Sequence, residues 1–112
     1  MKNNQKFIIG IMGLGMVGGS VKRYFNKKRF IVLFYDKGKN EGSVAEVNKA
    51  DVVFVCVPTP FDGQKGFDLS FIEDACNNIY REKIIVIKST ILPGTTEKLQ
   101  QKYPQHKFLF NP

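Results

Sequence analysis

Six residues constrain this chain more than any others: Gly13-Leu14-Gly15-Met16-Val17-Gly18, a G-x-G-x-x-G run set between an apolar segment and a helical one. Phe7 to Met12 is a near-continuous apolar run of strand length, which suits a strand covered on both faces of a parallel sheet. Beyond the glycines, Val17, Val21, Tyr24 and Phe25 recur at helical spacing up to a basic stretch, Lys27 to Arg29, that complements a helix dipole. Strand, glycine turn and helix, with Asp36 lying 23 positions after Gly13 at the end of the next apolar run, form the dinucleotide-binding pattern. In that pattern Gly13 permits the tight turn, Gly15 lets the backbone approach a pyrophosphate, and Gly18 lets the helix pack closely. The first-turn N–H groups and the helix dipole then face the phosphates, with Leu14, Met16 and Val17 between the glycines as further cofactor-contact candidates.

The rest of the chain alternates in the same way. Phe30 to Tyr35 is a second strand, closed by Asp36 and the polar run Lys37 to Gly42, and Ser43 to Lys49 reads as one short helix. Val52 to Val57 is the most β-branched run, stopped by Pro58. Thr59 to Phe67 reads as a loop, with Asp68 as N-cap of a helix that carries Phe71, Ile72, Ala75, Cys76 and Ile79 on one face. Ile84 to Ile87 is a strand, Pro93-Gly94-Thr95-Thr96 opens a helix that Tyr103-Pro104 ends, and Lys107 to Phe110 is a last short strand. The expected fold is therefore α/β, a Rossmann-type three-layer α/β/α domain over residues 1–112 with a parallel sheet of about five strands in the order 2-1-4-5-6. The third strand is expected to be reduced, because only 14 residues separate Asp36 from Asp51.

Asp36 is placed to accept hydrogen bonds from an adenosine ribose and to repel a 2′-phosphate, which favours NAD over NADP. Lys37 and Lys39 pull the other way, although a solvated turn explains them equally well. Two loops at strand ends border the expected cleft: Val57-Pro58-Thr59-Pro60, and Lys88-Ser89-Thr90 running on to Thr95. Cofactor contacts and ordinary turn chemistry account for them about equally.

Other classes are less well served. The formal net charge is +7, but apart from Lys22, Arg23, Lys27, Lys28 and Arg29 the basic residues are scattered without interleaved aromatics, so nucleic acid is not the expected partner. No run is long enough for a membrane helix, and Met1 to Lys6 leads into a strand rather than a signal core, so a cytoplasmic place is expected. Cys56 and Cys76 have neither metal-ligand spacing nor disulfide density and read as reduced core thiols, with no metal expected. His106 reads as a surface turn residue.

The glycine run, Val57-Pro58-Thr59-Pro60, Asp68-Leu69-Ser70, Lys88-Ser89-Thr90 with Pro93-Gly94-Thr95-Thr96, and Phe110-Asn111-Pro112 together resemble the N-terminal domain of the UDP-glucose/GDP-mannose dehydrogenases over nearly the whole chain. The resemblance implies a part of an enzyme that oxidises the C6 alcohol of a nucleotide sugar to a carboxylate with NAD, in two hydride transfers through a covalent thiol adduct. It implies that Thr59 lines the nicotinamide side, that Thr90 sits beside the reacting centre holding the water or hydroxyl of proton transfer, and that Ser89 and Lys88 shape the same loop. The family's catalytic cysteine, its active-site lysine and most sugar contacts fall beyond Pro112, as do its dimer elements, so any homodimer of this chain needs another interface. The expected partners are NAD(H) and, through that further part, a nucleotide sugar. Another hydroxy-acid or sugar-acid dehydrogenase, or a non-catalytic NAD(H)-sensing domain, is the alternative.

Overall fold

The computed structural model describes residues 7–111, so the first six residues lie outside it. Its elements are β1 (Ile9–Met12), α1 (Met16–Lys27), β2 (Val32–Asp36), β3 (Glu41–Gly42), α2 (Val44–Val47), β4 (Val52–Val55), β5 (Phe61–Asp62), β6 (Gly66–Phe67), α3 (Ser70–Asn77), β7 (Ile84–Ile87), α4 (Thr95–Lys102) and β8 (Lys107–Phe110). The main sheet runs β3-β2-β1-β4-β7-β8, with every pair parallel except β2 with β3. The five parallel strands keep the order expected from the sequence. The sheet gains a sixth, antiparallel edge strand where a reduced third strand was expected.

That edge has a local cause. The turn after Asp36 closes with the Asn40 N–H on the Lys37 carbonyl at 3.3 Å, and Asn40 and Gly42 both have positive φ, 54° and 72°. Left-handed residues two apart reverse the chain at once, so Glu41 and Gly42 return against Asp36 and Tyr35. A side chain at Gly42 would collide with the Phe34 carbonyl.

The strand alternation sorts the core onto the two sheet faces. Met12, Val53, Val55, Ile85, Ile87 and Phe108 meet Val47, Ile72, Ala75, Cys76 and Leu99 from α2, α3 and α4, and Tyr103 just after α4. Ile9 and Ile11 form a smaller cluster with Val21 and Phe25 of α1 and with Val32, Phe34, Val52 and Phe54. At mid-strand, Gly10 has no side chain because a Cβ there would lie 2.9 Å from that of Ala50, just after α2.

α2 is one turn long and is held from outside. Ser43 Oγ caps it by accepting from the Glu46 N–H at 3.1 Å. Asn48 donates through Nδ2 to the carbonyls of Val44 and Asn78, at 2.9 and 2.8 Å, and accepts from the Tyr80 N–H at 2.6 Å. The Lys83 ammonium donates to the carbonyls of Asn48 and Ala50 at 2.8 and 2.7 Å. These bonds fasten α2 to the α3–β7 connection.

Several local expectations need correction. Thr59 to Phe67 contains a two-stranded hairpin, β5 with β6, closed by T-shaped packing of Phe61 on Phe67 with ring centres 5.1 Å apart. Leu69 is the N-cap residue of α3; the Asp68 carboxylate accepts from the Ser70 N–H at 2.9 Å, one position earlier than a cap requires. Cys56 lies one residue past β4. His106 is not on the surface: it is 2% exposed, with Nε2 3.1 Å from the Ile79 carbonyl. A tyrosine, Tyr103, and Phe108 close the same corner around it.

Candidate functional site

The carboxyl ends of β1, β2 and β4 open into a cleft of ≈ 1080 Å³ that α1 and α3 flank. The three glycines of the loop after β1 meet three different requirements. Gly13 has φ +96°, and a Cβ there would lie 2.7 Å from the Cys56 carbonyl oxygen, so both conformation and space demand glycine. At Gly18, inside α1, a Cβ would land on the Gly13 carbonyl oxygen, so the helix closes directly onto its own loop. Gly15 differs: its φ is an ordinary −71°, and nothing lies within 4 Å of a Cβ built on it. Glycine at 15 is needed for neither fold nor packing, and the space it leaves opens on the cleft.

The start of α1 faces the same space. Gly15 is its N-cap and brings no side chain, and the first turn carries no acidic residue. A helix start has unsatisfied N–H groups and partial positive charge. With no acceptor supplied by its own cap, it is suited to an anion.

Asp36, at the end of β2, does more than face the cleft. One carboxylate oxygen accepts from the Leu14 N–H at 2.6 Å and the other from the Lys39 N–H at 2.9 Å. The Lys39 ammonium in turn donates to the Leu14 carbonyl at 2.8 Å. Burial works to raise the Asp36 pKa, but the N–H donors of Leu14, Lys39 and Gly38 and the Lys39 charge outweigh it, leaving the carboxyl below its ordinary 3.8. It is therefore ionised, and each oxygen keeps a further lone pair for a hydroxyl donor.

The sequence candidates divide into lining and supporting residues. Gly13, Gly15, Met16, Val17, Asp36, Lys37, Val57, Pro58 and Thr59 line the cleft. Leu14 is buried in the α1 cluster and reaches the site only through its backbone, and Gly18 is buried in α1. Ser89 is buried as well; its hydroxyl donates to the Val57 carbonyl at 2.6 Å, fixing the β4 loop rather than entering the cleft. Thr90 is exposed, and its carbonyl accepts from the Thr59 hydroxyl at 2.7 Å, so the two strand-end loops are tied together.

Sequence reasoning missed the α3 wall. Phe71, Asp74, Ala75 and Asn78 line the cleft, with Tyr35 and Gly38 opposite. Phe71, placed by its spacing on the apolar face of the helix, is 47% exposed. A signal was present: Asp74 and Asn78 follow Phe71 at helical spacing, so a partly polar stripe runs beside the apolar face. Lys37 reaches across from the β2 side to Asp74, N···O 3.9 Å, an exposed pair of little energetic weight. Cys56 also lines the cleft, but burial pushes its thiol, like that of Cys76, up to about 12. No group of His, Cys, Asp and Glu suited to a metal occurs among the described residues, and no helix among them is long and apolar enough to cross a membrane.

Comparison with known proteins agrees with this geometry. Residues 40–109 match the UDP-glucose/GDP-mannose dehydrogenase family, NAD binding domain. A UDP-N-acetyl-D-mannosamine dehydrogenase of Methanocaldococcus jannaschii is 42% identical over 69 residues, 55% of this chain and 16% of that enzyme. In fold, the chain is similar to a UDP-glucose dehydrogenase of Pyrobaculum islandicum, with a TM-score of 0.75 at 22% identity over 95% of this chain and 35% of the other. It is similar too to a GDP-mannose dehydrogenase of Pseudomonas aeruginosa, with a TM-score of 0.74 at 21% identity over 93% and 35%. The chain thus spans only a small part of the relatives it matches. With the match covering more than half of the chain, this protein belongs to the UDP-glucose/GDP-mannose dehydrogenase family and corresponds to its NAD binding domain.

Proposed function

We propose that this chain is the cofactor-binding part of an NAD-dependent nucleotide-sugar 6-dehydrogenase. The observation that carries the reading is Gly15: an ordinary backbone conformation, open space where a side chain would stand, and an uncapped helix start beside it. The pyrophosphate would lie there, on N–H groups of the first turn of α1. Asp36 would accept from the adenosine ribose hydroxyls, with Lys37 at the rim. Val57, Pro58 and Thr59 would border the nicotinamide half, held in place by the Ser89 hydroxyl beneath and by the Thr59–Thr90 bond beside them. Bound NAD supplies the hydride acceptor; the residues of this chain orient it.

Thr90 would stand nearest the reacting sugar, its side chain holding the water or hydroxyl of proton transfer, while the sugar nucleotide itself would rest on chain beyond this domain. With both thiols held neutral by burial, neither Cys56 nor Cys76 is suited to form a covalent adduct. Free thiols accord with a cytoplasmic setting. The 112-residue chain is therefore expected to bind NADH without oxidising UDP-glucose, GDP-mannose or UDP-N-acetylmannosamine. Titration calorimetry with NADH and NADPH tests the reading. NADH should bind more tightly, and Asp36→Ala should weaken NADH by about tenfold, roughly the loss of one charge-assisted hydrogen-bonding group, and abolish the preference. Equal affinities in the unmodified chain would contradict it.

A further inference from the structure

Lys39 belongs to none of the lining residues, yet it closes a ring of three contacts around the point where β1 and β2 end. Asp36 accepts from the Leu14 N–H on one oxygen at 2.6 Å and from the Lys39 N–H on the other at 2.9 Å, and the Lys39 ammonium donates to the Leu14 carbonyl at 2.8 Å. The positive-φ turn that made β3 brings Lys39 back over the glycine loop. A free turn lysine would extend into solvent to shed its entropy cost. This one is bonded to the backbone of the loop, beside the carboxylate that reads the ribose.

We propose that Lys39 sets how strongly this site discriminates between dinucleotides with and without a 2′-phosphate, through the charge of an ammonium that its bond to the Leu14 carbonyl fixes beside Asp36. The inference rests on the reading of the cleft as a dinucleotide site. A 2′-phosphate placed at Asp36 meets a carboxylate whose charge is opposed by an ammonium fixed to the same loop, so the repulsion that excludes it is reduced. The pyrophosphate, common to both ligands, feels Lys39 equally in each. The ratio of the two affinities therefore isolates the effect at the 2′ position.

The experiment measures dissociation constants of NADH and NADPH for the whole chain and for Lys39→Gln, Lys39→Met and Lys39→Arg, with circular dichroism on each. Gln removes the charge while keeping a polar side chain with N–H donors; Met removes charge and donor both. In Gln and Met alike the NADPH-to-NADH ratio of dissociation constants should rise, roughly threefold to tenfold at about 0.05 M salt, and Arg should restore it. The rise should shrink at about 0.5 M salt, where exposed charges are screened. A lysine that only braces the loop would weaken both ligands in Met and leave the ratio where it was; that result, or a ratio unmoved in Gln, overturns the proposal. If the unmodified chain binds neither dinucleotide, the cleft reading fails and the proposal falls with it.

Discussion

At the residue scale, the glycine loop separates what the fold needs from what a ligand needs. Gly18→Ala should unfold or severely destabilise the chain, by more than about 3 kcal/mol, because the new methyl lands on the Gly13 carbonyl within a helix that cannot retreat from its own loop. Thermal denaturation measures it, and a Gly18→Ala protein with near-normal stability would show that α1 is not packed as described. The motif itself was legible in the sequence, since its glycines have a fixed relation to a strand and a helix. The Lys39 contact was not, because it depends on how sharply the chain turns after Asp36, and two left-handed residues, one of them Asn40, carry no periodic signal. His106 was misread for a related reason. A polar residue after Pro104 looks like turn, while its surroundings are Ile79, just past α3, and Phe108 of β8.

At the element scale, the short α2 shows how a reduced segment keeps its place. Its single turn would not persist alone, and it is Asn48 that joins it to Asn78 and Tyr80 on the far connection. Asn48→Ala removes three hydrogen bonds and leaves the Asn78 carbonyl and Tyr80 N–H short of a partner, an expected loss of about 2 to 3 kcal/mol in urea unfolding. A loss below about 0.5 kcal/mol would mean that water replaces the side chain without cost. The parallel strands and their order were readable because each is a β-branched or apolar run between turn signals. The hairpin β5–β6 and the edge strand β3 were not, being two residues long on each side and made by turns rather than by patterning. The α3 wall was only half readable: the periodicity gave a helix, but one apolar face served both the core, through Ile72 and Cys76, and the cleft, through Phe71.

At the scale of the whole molecule, stability and cofactor binding are expected to depend on different groups. His106 donates through Nε2 to the Ile79 carbonyl, which can only accept, so Nδ1 is the bare nitrogen, and among the described residues it has no partner. Burial, with Lys83 adding to it, holds the ring pKa below 6.5 despite the Ile79 bond. Below about pH 6.5 the unfolded chain then takes up a proton that the fold refuses, so this contribution to stability is complete above that pH and is lost as the pH falls. The change in urea midpoint between about pH 7.5 and about pH 5.5 should be smaller in His106→Gln than in the unmodified chain; an equal change would contradict the assignment. Binding of the dinucleotide is expected to rest instead on the cleft, where Asp36, held below its ordinary value, stays ionised across that range.

The central claim, that the open space at Gly15 is where a dinucleotide's pyrophosphate sits, is tested most directly by titrating NADH into the unmodified chain and into Gly15→Val, with circular dichroism and thermal melts alongside. Valine meets no protein atom there within 4 Å of its Cβ, so the fold should be retained with a melting temperature near that of the parent, while saturable one-to-one NADH binding should weaken by at least about a hundredfold, roughly 2.7 kcal/mol. NADH binding that survives Gly15→Val unchanged, in a protein that still folds, would contradict the account.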